Sequence, residues 1–245
     1  MRLLSFDTST SDLHVCLANK GAIVASCVVV SKLEDRQYAA ALLIPTIQDV
    51  LQEVNWQKSD IEGIVVGVGP GSFTGVRTAV VTARTMAQAL NLPLIGVPIL
   101  ECYAFQYGSS TTVVLGAGRQ DFFAAVYRVN RAQGEAATPA VVETGAPACL
   151  SREAVVDLLN LAGAGLVETS CLAYFKESRA DLKALPHLNN IAAVQSELAL
   201  NKVSLSMAQS SAPGSSQAFL AKAFSYERIQ PLYLRKASIT LKKTN

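Results

Sequence analysis

Apolar residues recur along this chain in two rhythms, one suited to strands and one to helices. Short alternating or β-branched runs at residues 2–6, 13–18 and 22–30 predict three strands, with Gly21 in the turn between the last two. From Ala39 the spacing becomes helical, and Leu43, Ile47, Val50, Leu51 and Val54 form one stripe. Pro45 lies inside that stripe, so this helix either bends near Leu42 or begins there. Residues 64–68 are a continuous apolar run of the kind a buried central strand needs, and Gly69-Pro70-Gly71 stops it. Val76, Val80, Ala83, Ala87 and Leu90 then mark a second helix, and residues 94–97 a short strand. The second half repeats the order: strands at 112–117, 122–129 and 140–144, a helix at 152–161, a strand at 165–169 and a helix at 191–200. Two copies of a β-β-β-α-β-α unit are implied. Residues 204–216, rich in Ser, Gly and Pro, read as a linker, and residues 217–228 as a helix. Pro231-Leu232-Tyr233-Leu234-Arg235 closes the fold before a basic tail with Lys236, Lys242 and Lys243.

The junction of strand, glycine turn and helix at residues 63–78 carries the candidate chemistry. Ser72 or Thr74 is placed to accept from the first-turn N–H groups of the helix. Such a turn gathers unpaired N–H groups at the positive end of a helix dipole, and Arg77 lies close by. Two readings stand: an anion loop, or glycines at 69, 71 and 75 that let one backbone pass close to another. It is not a Walker loop, because no Gly-Lys-Ser/Thr follows.

Composition narrows the partners. With 245 residues, 50% hydrophobic and 16% charged, the chain has enough apolar material for one large core or two, and extensive burial is expected over disorder. A net charge of +2 provides no broad electrostatic footprint for nucleic acid. Cys16, Cys27, Cys102, Cys149 and Cys171 are odd in number and widely spaced, as buried free thiols are. The two histidines, His14 and His187, are too few and too far apart for a metal site and read as structural. The first residues hold too short an apolar run for a signal peptide or membrane span, so a cytoplasmic protein is expected.

Duplicated units with a polar Asp7-Thr8-Ser9 turn after the first strand resemble the actin, hexokinase and sugar-kinase superfamily, whose α/β fold is a duplicated, ribonuclease-H-like pair of lobes with mixed sheets flanked by helices. The stretch Gly69-Pro70-Gly71-Ser72-Phe73-Thr74-Gly75-Val76-Arg77-Thr78 is similar to the signature of the TsaB (YeaZ) family. Asp7-Thr8-Ser9, Leu94-Ile95-Gly96-Val97 followed by Glu101, and Pro231-Leu232-Tyr233-Leu234-Arg235 agree with it. The resemblance is specific through about residue 106. In the middle only Ala117-Gly118-Arg119 matches, with Gly116 where the family pattern has Asp. Tyr38-Ala39-Ala40 stands where many relatives have His-Ser-Glu.

The resemblance implies lobes of residues 1–104 with 217–245 and of residues 105–216. It also implies a non-catalytic relative of the TsaD-type proteins, whose metal is held by a His-x-x-x-His helix that this chain lacks. Such a subunit pairs with a TsaD-type catalytic subunit and a TsaE-type ATPase to place threonylcarbamoyl on tRNA adenosine. It dimerises in isolation, touches tRNA only indirectly, and needs no membrane or cofactor beyond residual ATP or ADP binding. The predicted partner surface is Leu43, Ile47, Val50, Val76, Ala79, Val80, Ala83 and Ala87, where small residues allow close helix approach. Burial of these residues within one lobe is the alternative. Tandem pairs such as Val80-Val81 require burial on more than one side. The competing function is an actin-like kinase or ATPase in which Asp7 places a metal or base, Thr8 and Ser9 hold phosphate, and Gly69, Gly71, Ser72, Thr74, Gly75 and Arg77 hold a second anion.

Overall fold

The first three apolar runs pair with one another because tight turns separate them and each has one face to bury. In the computed structural model, which describes residues 1–31, 38–130, 140–162, 164–179, 181–208, 220 and 222–234, they form the antiparallel strands β1 (Arg2–Asp7), β2 (Leu13–Asn19) and β3 (Ala22–Val29). Helix α1 (Tyr38–Glu53) leads to β4 (Gly63–Gly67), which lies parallel to β1; α2 (Phe73–Leu90) leads to β5 (Leu94–Val97), parallel to β4. Parallel neighbours need such helical crossovers. Pro45 is interior to α1, so the helix does not begin there.

After α3 (Ile99–Tyr107), which the apolar pattern did not reveal, the second half repeats the plan. Its elements are β6 (Thr111–Gly118), β7 (Asp121–Asn130), β8 (Ala140–Leu150), α4 (Arg152–Ala162), β9 (Gly165–Val167), β10 (Lys183–Ala184) and α5 (Ile191–Ala208). The sheets run β3-β2-β1-β4-β5 and β8-β7-β6-β9-β10, the same order twice. Where the first half has α2, the second has one 3-10 segment, Thr169–Tyr174. Helix α5 runs past residue 200 to Ala208, so the start of the expected linker is helical; residues 209–219, 221 and the basic tail from Arg235 lie outside the described residues.

Each half lends a helix across the junction. Although α5 follows the second sheet, it packs on β1, β2, β4 and β5, while α3 packs on β6, β7 and β8 and against α5. One core lies between the first sheet and α1–α2, and another between that sheet and α3–α5. At about 1.5–3 kcal/mol for each fully buried Val or Leu, these two cores dominate the fold. The final segment returns to the first lobe: Leu94 N–H donates to the Phe224 carbonyl (2.9 Å) and Leu232 N–H to the Val68 carbonyl (2.8 Å).

Candidate functional site

The glycine turn leaves β4 buried and emerges at Gly71, where α2 begins with Ser72 as its N-cap; the Ser72 hydroxyl accepts from Gly75 N–H at 3.3 Å. Opposite it lies the turn after β1. Ser72 N–H donates to the Ser9 carbonyl at 2.7 Å, and the Thr8 hydroxyl donates to the Gly75 carbonyl at 2.7 Å. A Cβ on Gly71 would overlap the Ser9 carbonyl, and one on Gly75 the Thr8 carbonyl. Those two glycines are therefore required by the close approach of the turn after β1, the second of the two readings of this loop. The Gly69 carbonyl is also taken, by Ile99 N–H at 2.9 Å.

Asp7, Thr8 and Ser9 are buried. One Asp7 carboxylate oxygen accepts from Ser9 N–H at 2.5 Å and the other from the Gln195 side-chain amide at 2.5 Å. Sequence reasoning missed Gln195; its signal was a polar Gln-Ser pair interrupting the apolar run of α5. Two further bonds tie the start of α5 to β2: Asn190 Nδ2 donates to the Val15 carbonyl (3.1 Å), and Ile191 N–H donates to His14 Nδ1 (3.4 Å). Burial lowers the His14 pKa, with Asp7 and Asp12 opposing that shift, so the ring is held neutral. Of the nine candidate ligand residues, Asp7, Thr8, Ser9, Gly71, Ser72 and Gly75 meet in this joint and Gly69 borders it. Thr74 and Arg77 are exposed on α2.

The middle motif also finds a partner. Gly116 N–H donates to Glu168 at 2.8 Å, and the Ser170 hydroxyl donates to the other oxygen of that carboxylate at 2.9 Å, so an acid from β9's end sits beside the position where the family pattern has Asp. In the central helices, Lys202 of α5 pairs with buried Glu101 of α3 at 2.8 Å. His187 is exposed beside Asn189. Among the described residues no group of three His, Cys, Asp or Glu side chains is placed to hold a metal, and no helix is long and apolar enough to cross a membrane.

The predicted partner surface requires correction. Leu43, Ile47, Val50, Val76, Ala79, Val80, Ala83 and Ala87 are all buried in the core between α1–α2 and the first sheet. A helical stripe meets its own sheet first, and the small alanines allow close packing on that sheet. The opposite face is also apolar in part: Ile44 of α1, and Phe73 and Val81 of α2, are exposed. Phe73 stacks on Tyr233 with ring centroids 4.7 Å apart, which joins two of the motif pieces read from the sequence.

Two sheets of identical strand order, the first locked to α2 by a polar turn after β1, define a duplicated actin-like protein of two lobes. Residues 29–227 match the profile of the family described as TsaD, tRNA N6-adenosine threonylcarbamoyltransferase. The chain belongs to that family, in its TsaB (YeaZ) branch. It is 38% identical over 100 residues to the tRNA threonylcarbamoyladenosine biosynthesis protein TsaB of Escherichia coli K12, covering 41% of each chain. It is 33% identical over 104 residues to the protein of the same description from Bacillus subtilis 168, covering 42% of this chain and 44% of that one. These matches span less than half the length of either relative. Over 96% of this chain and 99% of the other, the fold superposes with a TM-score of 0.69 and 26% identity on a Pseudomonas aeruginosa protein described as uncharacterized, with similarity to peptidase YeaZ.

Proposed function

We propose that this protein is a partner subunit in the synthesis of threonylcarbamoyladenosine in tRNA, docking a TsaD-type catalytic subunit through the outer face of α1 and α2 and supplying no catalytic centre of its own. The observation that carries this reading is the second apolar face of those helices: with the core stripe satisfied, Ile44, Phe73 and Val81 remain exposed, and Phe73 stacks on Tyr233. Aromatic and aliphatic anchors of this kind supply most of the energy of a specific interface. Without its partner, the same face receives a second copy of this chain. A TsaE-type ATPase and tRNA then meet the complex mainly through the partner.

The saturation of the glycine joint supports a supporting role over the kinase reading. Both Asp7 oxygens are engaged by protein donors, and the space before the loop is filled by the backbone of Thr8 and Ser9. Co-expression with a TsaD-type protein from the same organism tests the proposal. The wild type is expected to co-purify with it and Val81→Asp to lose it, with neither showing ATP hydrolysis alone. A purified chain that turns over ATP, or a Val81→Asp variant that binds the partner as tightly as wild type, overturns the reading.

A further inference from the structure

Charge is segregated between the two helices of the docking face. The only charged residues of α1 are acids, Asp49 and Glu53, and those of α2 are bases, Arg77 and Arg84. Asp49, Glu53 and Arg77 are exposed and Arg84 is half-buried. Among the described residues none of the four makes an ion pair within the chain. Each helix by itself disfavours this placement. Glu53 ends α1 at the negative end of its dipole, and Arg77 lies one turn into α2, near its positive end. Asp49 and Glu53 stand four residues apart, so the two carboxylates repel along one stripe. The helices run the same way, because α1 leads from β3 into β4 and α2 from β4 into β5, and these three strands point in one direction. The acids therefore lie at one end of the helix pair and Arg77 toward the other. Arg77, Val81 and Arg84 share a stripe of α2 at i, i+4 and i+7, so the bases flank the exposed Val81.

We propose that this layout selects a second copy of the chain, with Asp49 and Glu53 of each copy set against Arg77 and Arg84 of the other. Resting on the docking role given above, this pairing adds what the face recognises. A two-fold axis lying in an interface and bisecting the line between two patches exchanges them, so an acidic and a basic patch on one face meet their opposites twice. A face of a single sign would repel its own copy, whereas this one is complementary to itself. In the pair, cations cover the C-terminal end of α1 and carboxylates the N-terminal half of α2, which is the compensation each helix lacks alone. Exposed ion pairs contribute little individually. Their effect is on orientation and choice of partner, while Ile44, Phe73 and Val81 supply the apolar contact.

Sedimentation equilibrium of the full chain from about 10 µM to about 1 mM, which spans the affinities of small interfaces, reads the result. The weight-average mass of wild type is expected to rise with concentration from the 26.0 kDa of one chain toward twice that value. Two double variants make the face single-signed: Arg77→Glu/Arg84→Glu leaves it wholly acidic, and Asp49→Lys/Glu53→Lys wholly basic. Each alone, with an unchanged circular dichroism spectrum, is expected to weaken association by at least about tenfold, and an equimolar mixture of the two to restore it. Wild type needs no substitution for a second test, because its association should weaken as sodium chloride rises from about 0.05 M to about 1 M. The inference is overturned if each folded variant associates like wild type, if the mixture associates no better than its components, or if salt leaves wild-type association unchanged or stronger. Wild type that stays at one chain throughout, yet binds a TsaD-type protein, overturns it too and assigns the face to that partner. Val81→Asp separates the two levels. If it associates like wild type, the docking role of this face fails along with the charge pairing; if it stays at one chain while the mixture shows no gain, only the charge pairing fails.

Discussion

Placing a carboxylate at Ala83 and at Val81, two residues apart on α2, separates core from partner surface. Ala83 is 0% exposed and lies in the core between α2 and the first sheet, whereas Val81 is 55% exposed on the opposite face. In Ala83→Asp the new side chain has no cationic partner in that core, so it is forced to stay protonated. Holding an aspartic acid neutral at pH 7 against an ordinary pKa near 3.9 costs about 4 kcal/mol, before any cost of fitting the larger group. Against a total stability of about 5–15 kcal/mol, that loss leaves the monomer marginal or unfolded. For a chain of this size it corresponds to a fall in melting temperature of roughly 8–16 °C. The deficit should shrink by about 1.4 kcal/mol per pH unit on acidification toward pH 5, because the price of protonation falls. Val81→Asp should melt within about 0.5 kcal/mol of wild type and lose partner binding instead. Thermal circular dichroism at pH 7 and pH 5, beside partner capture, decides it. An Ala83→Asp protein that melts like wild type would refute the assignment of this stripe to the core.

Three other outcomes follow from the same geometry. Gly75→Ala drives a methyl group into the Thr8 carbonyl and should cost about 1–3 kcal/mol in urea denaturation, whereas a fully stable variant would mean the two turns separate at no cost. Burial depresses the His14 pKa, so the unfolded state takes up a proton below about pH 6.5 that the folded state resists; stability is full above that pH and falls as the pH drops. His14→Gln should flatten this loss between pH 7 and 5, by at most about 1.4 kcal/mol per unit, and identical pH profiles for variant and wild type would exclude the histidine as its source. Elemental analysis of the purified chain should find no stoichiometric zinc or iron, and one tightly held ion per chain would overturn that expectation.

The order of elements along the chain and its duplication were legible because β-branched runs, turn residues and a change of period from two to helical spacing are local signals. Helix α3 was not, because Ile99, Leu100, Cys102, Ala104 and Phe105 are all buried between neighbours, so no polar face marks its period. The partner surface was misplaced for a related reason. An amphipathic stripe announces burial but not the surface that buries it, and a domain's own sheet is the nearest claimant. The tandem Val80-Val81 held the missing information: Val80 is 1% exposed while Val81 points outward. The pairing of Gln195 with Asp7 was out of reach because the two are 188 residues apart and the bond exists only through the exchange of α5 onto the first sheet.

That exchange explains why an anion-like turn persists in a joint that protein groups fill. A buried carboxylate without partners is costly, and Asp7 is tolerated because Ser9 N–H and the Gln195 amide each donate to it. Hydrogen bonds to a charged group contribute about 1.5–3 kcal/mol each, and the Gln195 bond joins a helix of the second half to the first strand of the first. Asn190 and His14 add two more ties between the same helix and β2, and Lys202 pairs with Glu101 of the other exchanged helix. Sliding or rotating α5 on the first sheet therefore exposes several buried polar groups at once. The same turn fixes α2 through Thr8 and Ser9, so β1 anchors α5 on one face of its sheet and α2 on the other. A sheet gripped from both sides fixes Phe73 and Val81 of α2 relative to β1, and the docking role proposed above requires such order to avoid the entropy cost of arranging its surface on binding.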